Sequence, residues 1–259
     1  MKTKTILFAA FYVVFIFAAH CQSEGQSEEY QKFRLSVNAG GDFALGSSNT
    51  VLPSPIGDFI LPNASLGFGT GFDGAYFFTK NYGIGIKYHF YTADEKNGVV
   101  KEEDIDGGIY QEFIFKEKTH IIGLTIHARC FLFDTKWETS ANMGVMLLHN
   151  NLSEILCKTT HFPKGQTTSN YQNWHLGETF PTVGFSDFNG TSVGFTVSTS
   201  IGYRITPTLG VGLRADGFFA SLSKMETESI DYFNGISRFN GINRRINRIG
   251  VSAEISVNF

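Results

Sequence analysis

The chain has 259 residues, of which 17% are charged and 15% aromatic, and its formal net charge at pH 7 is −3. Glycine (28) and phenylalanine (26) both occur well above their average frequencies. This charge balance gives no basis for nucleic-acid binding, and no segment after the N-terminal one is apolar for long enough to span a membrane as a helix.

The N-terminal segment predicts a secretory signal peptide. Lys2 and Lys4 form a positively charged region, and the apolar run that follows is shorter than the roughly 20 residues that a spanning helix needs. Small residues favour cleavage directly after Cys21, so we predict a signal peptide at 1–21 and a single mature domain at 22–259. A lipoprotein acylated at Cys21 is the alternative, although the residue before it is larger than lipid-attachment motifs favour.

The mature chain alternates apolar and polar residues in eight segments. Successive side chains of a strand point to opposite faces, so this alternation predicts eight β-strands, each with one apolar and one polar face. In chain order the predicted strands are Phe33–Ala44, Ala64–Thr79, Gly83–Tyr91, Thr119–Phe133, Trp137–His149, Thr191–Ile205, Leu209–Phe219 and Ile249–Phe259.

The connections between these strands alternate in length. Short turns are predicted at 80–82, 134–136 and 206–208, and between them lie longer segments that we predict as loops: 45–63, 92–118, 150–190 and 220–247. Short turns on one side and long loops on the other are typical of a transmembrane β-barrel. An even number of strands places both chain termini on the side of the short turns.

The pattern resembles the small eight-stranded outer-membrane β-barrels of the OmpA/OmpX type in Gram-negative bacteria. Ile255, Val257 and Phe259 match the C-terminal insertion signal of that class, and the rest of the resemblance is one of pattern over the mature chain. It implies an all-β fold, an eight-stranded antiparallel up-and-down transmembrane β-barrel in the cell outer membrane. Long loops would be extracellular and both termini periplasmic. Aromatic residues near the short turns fit an interfacial girdle: Phe33, Tyr82, Phe133, Trp137, Tyr203 and Phe259.

The resemblance also implies partners. Outer-membrane lipid, with lipopolysaccharide as a further candidate, would surround such a barrel, and the barrel-assembly machinery would recognise its C-terminal strand. A surface ligand is compatible with the loops, but the sequence does not name it.

The polar faces of the predicted strands imply a charged lumen. They carry basic and acidic residues in equal number together with two histidines: Arg34, Lys87, Arg129, Arg204, Arg214, Asp42, Asp73, Glu138, Asp216, Glu254, His89 and His127. An eight-stranded barrel is only wide enough for its side chains to fill, and unpaired charges there would be costly. We therefore predict a lumen plugged by paired charges. A soluble ligand-binding barrel such as a lipocalin is disfavoured, because its inward face would be apolar.

One ion pair can be predicted from the hairpin geometry. Asp73 and Lys87 lie at equal distances from Lys80, the first residue of the turn at 80–82, so an antiparallel hairpin brings them opposite each other. We expect these two side chains to form a pair inside the lumen; a register shifted by one pair would instead bring His89 opposite Asp73.

The sequence favours a structural or surface-interaction role and predicts no catalytic residues, no cofactor and no metal. Lipid A deacylases among such barrels carry a His-x-Ser-Asn motif, which the residues after His127 and His149 do not match. The acidic segment at 92–118 lacks a complete Asp-x-Asp-x-Asp-Gly calcium loop. A small porin is the first alternative, and a lipid-modifying enzyme is the second.

The basic residues of the segment at 220–247 and just beyond it leave two interpretations open. Their guanidinium groups could bind lipopolysaccharide phosphates, or they could neutralise the acidic segment at 92–118. These residues are Arg238, Arg244, Arg245 and Arg248.

Overall fold

The computed structural model describes residues 30–45, 50–54, 57–61, 66–104, 107–132, 136–163, 183–185, 188–231 and 235–259. The predicted signal peptide lies outside these residues. The described ranges contain eleven strands: β1 Phe33–Ala44, β2 Thr50–Ser54, β3 Gly57–Leu61, β4 Leu66–Phe77, β5 Tyr82–Asp104, β6 Gly107–Leu132, β7 Trp137–Pro163, β8 Val183–Phe185, β9 Phe188–Arg204, β10 Leu209–Asp231 and β11 Gly235–Asn258. Within the described part of the chain, no helix has the length and apolar character needed to cross a membrane.

Eight of these strands form a closed antiparallel barrel, as predicted. Their order is β1-β4-β5-β6-β7-β9-β10-β11, and β11 pairs back with β1. The two ends of the sheet are joined at the last residue of the chain. Phe33 N donates to Phe259 O at 2.8 Å, and Phe259 N donates to Phe33 O at 2.9 Å. The Phe33 and Phe259 rings stack with centroids 5.6 Å apart.

The barrel is apolar outside and polar inside. On β6, Ile122, Leu124 and Ile126 point outward and are 57%, 67% and 57% exposed. The residues that alternate with them on the same strand, including Thr125 and His127, are buried. A strand in a soluble protein would bury its apolar face, so this inverted arrangement is that of a barrel whose outer wall contacts lipid.

The strands extend further than the sequence predicted. β5 and β6 pair along a ladder that includes most of the segment at 92–118, and β10 and β11 do the same through most of 220–247. β7 runs to Pro163, inside the predicted loop at 150–190, and pairs there with β6. The prediction of loops was wrong in these places because it relied on apolar alternation. That alternation marks only the part of a strand that faces lipid, whereas a ladder needs only backbone donors and acceptors.

Two smaller elements accompany the barrel. β2 and β3 pair with each other as a separate hairpin within the predicted loop at 45–63. β8 pairs with the outer part of β10. At the opposite end, the connections at 78–81 and 205–208 are short, as predicted, and each is closed by backbone hydrogen bonds.

Candidate functional site: the charged lumen

All twelve residues predicted for the lumen face the interior of the barrel. Eleven are buried, and Arg204 is partly buried at the end that carries the short turns, which we call the inner end. The positions follow from parity, because alternate residues of each strand point inward. The charges fall into successive levels along the lumen, which we describe from the inner end outward.

At the inner end, Glu254, Arg34, Glu138 and Arg204 form a chain of ionic contacts. The Arg34 guanidinium pairs with Glu254 and lies 3.7 Å from a Glu138 oxygen. Arg204 donates to the other Glu138 oxygen at 3.0 and 3.1 Å. Arg34 also donates to Ser140 Oγ at 2.7 Å. Each of these arginines therefore has a carboxylate partner.

Arg214 is the hub of the middle level. Its Nε donates to both Asp216 oxygens at 2.9 and 3.0 Å. Its Nη1 lies 3.0 Å from Glu254 and 2.5 Å from Asp73. Three carboxylates thus surround one guanidinium, and Glu254 links this level to Arg34 at the inner end.

Lys87 completes the middle level. Its ammonium group pairs with Asp216, donates to Ser198 Oγ at 2.5 Å and lies 4.9 Å from the centroid of the Phe218 ring. The β4–β5 register does place Asp73 opposite Lys87, but no ion pair joins these two described residues. The predicted pair was wrong because both side chains reach across the lumen to β10.

The two lumen histidines have separate partners. His89 Nε2 lies 2.7 Å from an Asp42 oxygen, and its ring packs against Phe218 at 4.5 Å. His127 Nε2 lies 2.8 Å from Thr125 Oγ1. Each ring is therefore held within the packed interior.

Two glycines leave the space that the Asp42 carboxylate occupies. A Cβ at Gly250 would lie 2.1 Å from Asp42 Oδ1, and one at Gly69 would lie 2.5 Å from Asp42 Oδ2. Any larger residue would therefore displace the carboxylate, because such contacts are shorter than van der Waals distances. The glycines of β4 and β11 set the space available to the charge in the lumen.

Arg129 closes the inner mouth through contacts with backbone carbonyls and an aromatic ring. Its Nε donates to the Lys80 carbonyl at 2.8 Å and its Nη2 to the Gln31 carbonyl at 2.5 Å. Its guanidinium also lies over the Phe77 ring at 3.8 Å. The Gln31 side chain donates to the Pro207 carbonyl at 2.8 Å. The segment before β1 thus spans the inner opening between the turns of two hairpins.

A further charged cluster lies at the outer end of the lumen, where the sequence analysis did not place one. Glu117 is fully buried and accepts from Arg248 Nη2 at 2.7 Å, Arg244 Nη2 at 3.1 Å and Asn150 Nδ2 at 2.7 Å. Glu117 is an even number of residues from His127 on β6, so the two side chains point to the same face. The two arginines are likewise an even number of residues from Glu254 on β11. Continuing the alternation into the polar part of each strand would have found all three.

For Arg244 and Arg248, this cluster decides between binding lipopolysaccharide phosphates and neutralising the acidic segment at 92–118. Arg244 and Arg248 face inward and neutralise a carboxylate of the segment at 92–118, whereas Arg245 between them is exposed. The side chain of Arg238 lies outside the described residues.

Glu117 lies above the lipid-facing band, because the outward positions on either side of it are Lys116 and Lys118. Burial alone would raise the pKa of Glu117. The guanidinium groups of Arg244 and Arg248 outweigh burial, so the pKa lies below its ordinary value of 4.5. The carboxylate is charged at neutral pH.

Apolar side chains fill the outer half of the lumen around this cluster, which the prediction of a charged inner face did not include. They are buried and point inward: Tyr91, Ile121, Leu148, Leu152, Phe188, Phe218, Leu222 and Ile246. The described lumen therefore has a charged inner half and a more apolar outer half, which also contains the His89–Asp42 contact and the Glu117 cluster.

No group of three or more histidine, cysteine, aspartate and glutamate side chains within the described ranges could hold a metal ion. The buried ionic and apolar groups of the described lumen contact one another at the inner mouth, around Arg214 and around Glu117. An apolar exterior around such an interior, closed by pairing of the first and last strands, decides the architecture. The chain is a transmembrane β-barrel of the outer-membrane type.

Solved structures of similar fold are distant in sequence from this barrel. Neisserial surface protein A matches with 14% identity and a TM-score of 0.47, covering 90% of this chain and 100% of its own. A major outer membrane protein of Thermus thermophilus matches with 10% identity and a TM-score of 0.49, covering 88% and 99%. OprG of Pseudomonas aeruginosa matches with 7% identity and a TM-score of 0.44, covering 89% and 97%.

No family model matches the sequence, and no curated protein matches it significantly. The assignment of the barrel therefore rests on its own exterior, lumen and strand pairing.

Proposed function

We propose that this protein is a non-conducting outer-membrane barrel with a structural or surface-interaction role, in which the lumen is plugged and the hairpins beyond the membrane make the contacts. The observation that carries this proposal is that buried side chains contact one another across the lumen at three levels. These levels are the Arg129 contacts at the inner mouth, the network around Arg214, and the apolar side chains with Glu117 at the outer end.

The middle level is the strongest barrier to conduction. Lys87, Arg214 and Asp216 are each at most 4% exposed and are joined to one another by short contacts. A permeating ion would have to break these contacts and strand a charge in a space with little water. Removing one member of a buried ion pair costs about 3–5 kcal/mol, which makes spontaneous opening rare.

Conductance in planar lipid bilayers tests the plug. We expect no stable ohmic steps from the wild-type barrel. The double variant Lys87→Ser, Asp216→Ser removes one cation and one anion together from the middle level, so it keeps the charge balance while opening the strongest barrier, and it should conduct more than the wild type. A matched control, Lys118→Ser with Arg245→Ser, removes two exposed charges from the outer wall and should stay silent. Ohmic steps from the wild type would support the small porin instead.

For orientation, we propose that the long hairpins are extracellular and both termini periplasmic. The position of the short turns on the same side as Phe33 and Phe259 supports this arrangement. In a chain whose native cysteines are replaced by serine, a single cysteine at Asp104, the last residue of β5, should react with a membrane-impermeant maleimide on intact cells. One at Asn81 should react only after the outer membrane is opened. The reverse result would invert the orientation.

Two partners follow from the outer wall. Lys118 and Arg245 are exposed directly beyond the apolar band, at the level of anionic headgroups, which supports contact with lipopolysaccharide. The exposed Ile255, Val257 and Phe259 on the last strand support recognition by the barrel-assembly machinery. The yield of refolding into vesicles tests the first partner. Lipopolysaccharide in the vesicles should raise this yield for the wild type more than for the Lys118→Ser, Arg245→Ser variant.

We also propose a role without catalysis. His89 is engaged by Asp42 and His127 by Thr125, so both lumen histidines already have structural partners. The mass of lipid A should therefore be unchanged when the protein is expressed in a Gram-negative host. A change in that mass would favour the lipid-modifying enzyme.

A further inference from the structure

The guanidinium group of Arg248 is incompletely bonded. Its Nη2 donates to Glu117, but its Nε and Nη1 have no hydrogen-bond partner among the described residues. The residue is only 2% exposed, so these two N–H groups do not reach bulk water. Unsatisfied donors on a buried charge are costly unless another group completes them. Arg34, Arg129 and Arg214 each have one such N–H group, whereas Arg248 has two.

The surroundings of Arg248 are apolar and aromatic. Its guanidinium carbon lies 3.5 Å from the centroid of the Tyr91 ring, and the β10–β11 register places Phe218 beside it. Ile246, the preceding inward residue of β11, is buried too. A ring face stabilises the cation but offers no acceptor in the plane of the guanidinium, where the free N–H groups point.

Neighbouring carboxylates do not supply the missing acceptor. Glu117 is shared with Arg244, and it contacts Arg248 only through Nη2. The next acidic side chain along the lumen, Asp42, is bonded to His89 at 2.7 Å and forms no ion pair with Arg248. The free edge of Arg248 is therefore a positive site in a poorly hydrated space.

We propose that Arg248 forms a binding site for one singly charged anion, a halide or a carboxylate, in the outer half of the lumen. The anion would accept from Nε or Nη1 and complete the guanidinium that Glu117 leaves open. One negative charge matches the site, because Arg244 and Arg248 share the single carboxylate of Glu117 and one positive charge remains. A dianion such as sulfate would introduce a charge excess and would be poorly bound. This inference goes beyond the proposed function and does not depend on whether the barrel conducts.

Thermal unfolding of the detergent-solubilised barrel tests the site. Sodium bromide and sodium acetate are compared with sodium sulfate at equal ionic strength, so that screening of surface charge is the same. The difference in unfolding midpoint between the wild type and Arg248→Gln should grow with the logarithm of bromide or acetate concentration. It should not change with sulfate, whose general stabilising effect is common to both proteins. Equal responses to all three salts would overturn the proposal, and so would no response to bromide and acetate.

Two variants on the same strand locate the effect. Arg248→Gln removes the open guanidinium and leaves Glu117 paired with Arg244 and Asn150, so the barrel should still fold. It should weaken the apparent affinity for bromide at least tenfold. Arg245→Gln, three residues away and facing outward, should behave as the wild type. An undiminished response in Arg248→Gln would overturn the site.

A structural measurement covers the case in which Arg248→Gln does not fold. Wild-type crystals grown with sodium bromide should show an anomalous peak within hydrogen-bond distance of Arg248 Nε or Nη1. Ordered bromide elsewhere in the lumen but not at Arg248 would contradict the proposal, and so would a lumen without bromide.

Discussion

Asp73 and Lys87 lie opposite each other in the β4–β5 ladder, yet both form their ion pairs with β10 on the far side of the barrel. Asp73 contacts Arg214 and Lys87 contacts Asp216. In the ring of eight strands β5 lies four strands from β10 and β4 lies three, so the Lys87 contact crosses the full width of the lumen and the Asp73 contact crosses most of it. Such pairs join opposite walls of the barrel.

The first prediction concerns this crossing. In a double-mutant cycle, Lys87→Met and Asp216→Asn should be coupled by about 0.5–3 kcal/mol, because they remove the two ends of one buried pair. The matched cycle of Lys87→Met and Asp73→Asn should give a much smaller coupling, although these residues are closer in the ladder. Denaturant unfolding from lipid vesicles gives the free energies. Stronger coupling with Asp73 would show that the neighbouring pair forms after all.

The second prediction concerns the glycine that accommodates Asp42. Gly250→Ala should destabilise the barrel by about 1–3 kcal/mol, as overpacking does, because the new methyl group meets the Asp42 carboxylate. Gly41→Ala is the control, since its Cβ would meet only side-chain carbons at 3.8 Å. The same unfolding measurement applies. Equal effects of the two substitutions would mean that the clash is relieved without cost.

The third prediction concerns the pH dependence of the outer cluster. The pKa of Glu117 is lowered in the folded barrel, so in the acidic range the unfolded chain binds more protons at this site. Its stabilising contribution is present above the ordinary value of 4.5 and is lost as pH falls through the lower folded pKa. Glu117→Gln should therefore flatten the acid limb of the unfolding free energy plotted against pH. A limb with unchanged slope would assign the acid sensitivity to other groups.

The fourth prediction concerns closure of the barrel. Phe259 exchanges two backbone hydrogen bonds with Phe33, and its ring stacks on the Phe33 ring. Deleting Phe259 should reduce the fraction of protein that runs as a compact, heat-modifiable band in membrane fractions, and protein should accumulate unassembled in the periplasm. Wild-type amounts of the compact band would count against an assembly role for this residue.

The fifth prediction separates the lipid-facing side of β11 from its lumen side. Ile255→Asp puts a charge on the outward face, where charged substitutions cost up to about 2–4 kcal/mol at the bilayer midplane and less near the interface. Ser256→Ala, one residue away and facing the lumen, should assemble normally. Urea sensitivity of the membrane-inserted band distinguishes the two. Equal sensitivity would indicate that Ile255 does not face lipid.

The sequence predicted most of the barrel because one simple rule governs it. Each strand between two faces of different polarity must alternate, so eight alternating segments gave the strand number, and parity gave the inward residues such as Arg34, Lys87 and Glu254. The rule failed where both faces are polar. Glu117 and Arg244 follow the same alternation as their strands, but without apolar neighbours on the outer face their segments were interpreted as loops.

The partners of the lumen charges were decided only by the tertiary structure. Lys87 could reach Asp73 beside it or Asp216 across the lumen, and the choice depends on the barrel's width and on the length of the side chains. The number of residues between two positions predicts whether they are neighbours along a strand or across a hairpin, because the ladder fixes the register there. Contacts across the lumen join strands that share no ladder. By itself the sequence therefore determined which residues of the lipid-facing strand segments point into the lumen, and only closure of the sheet determined which of them meet.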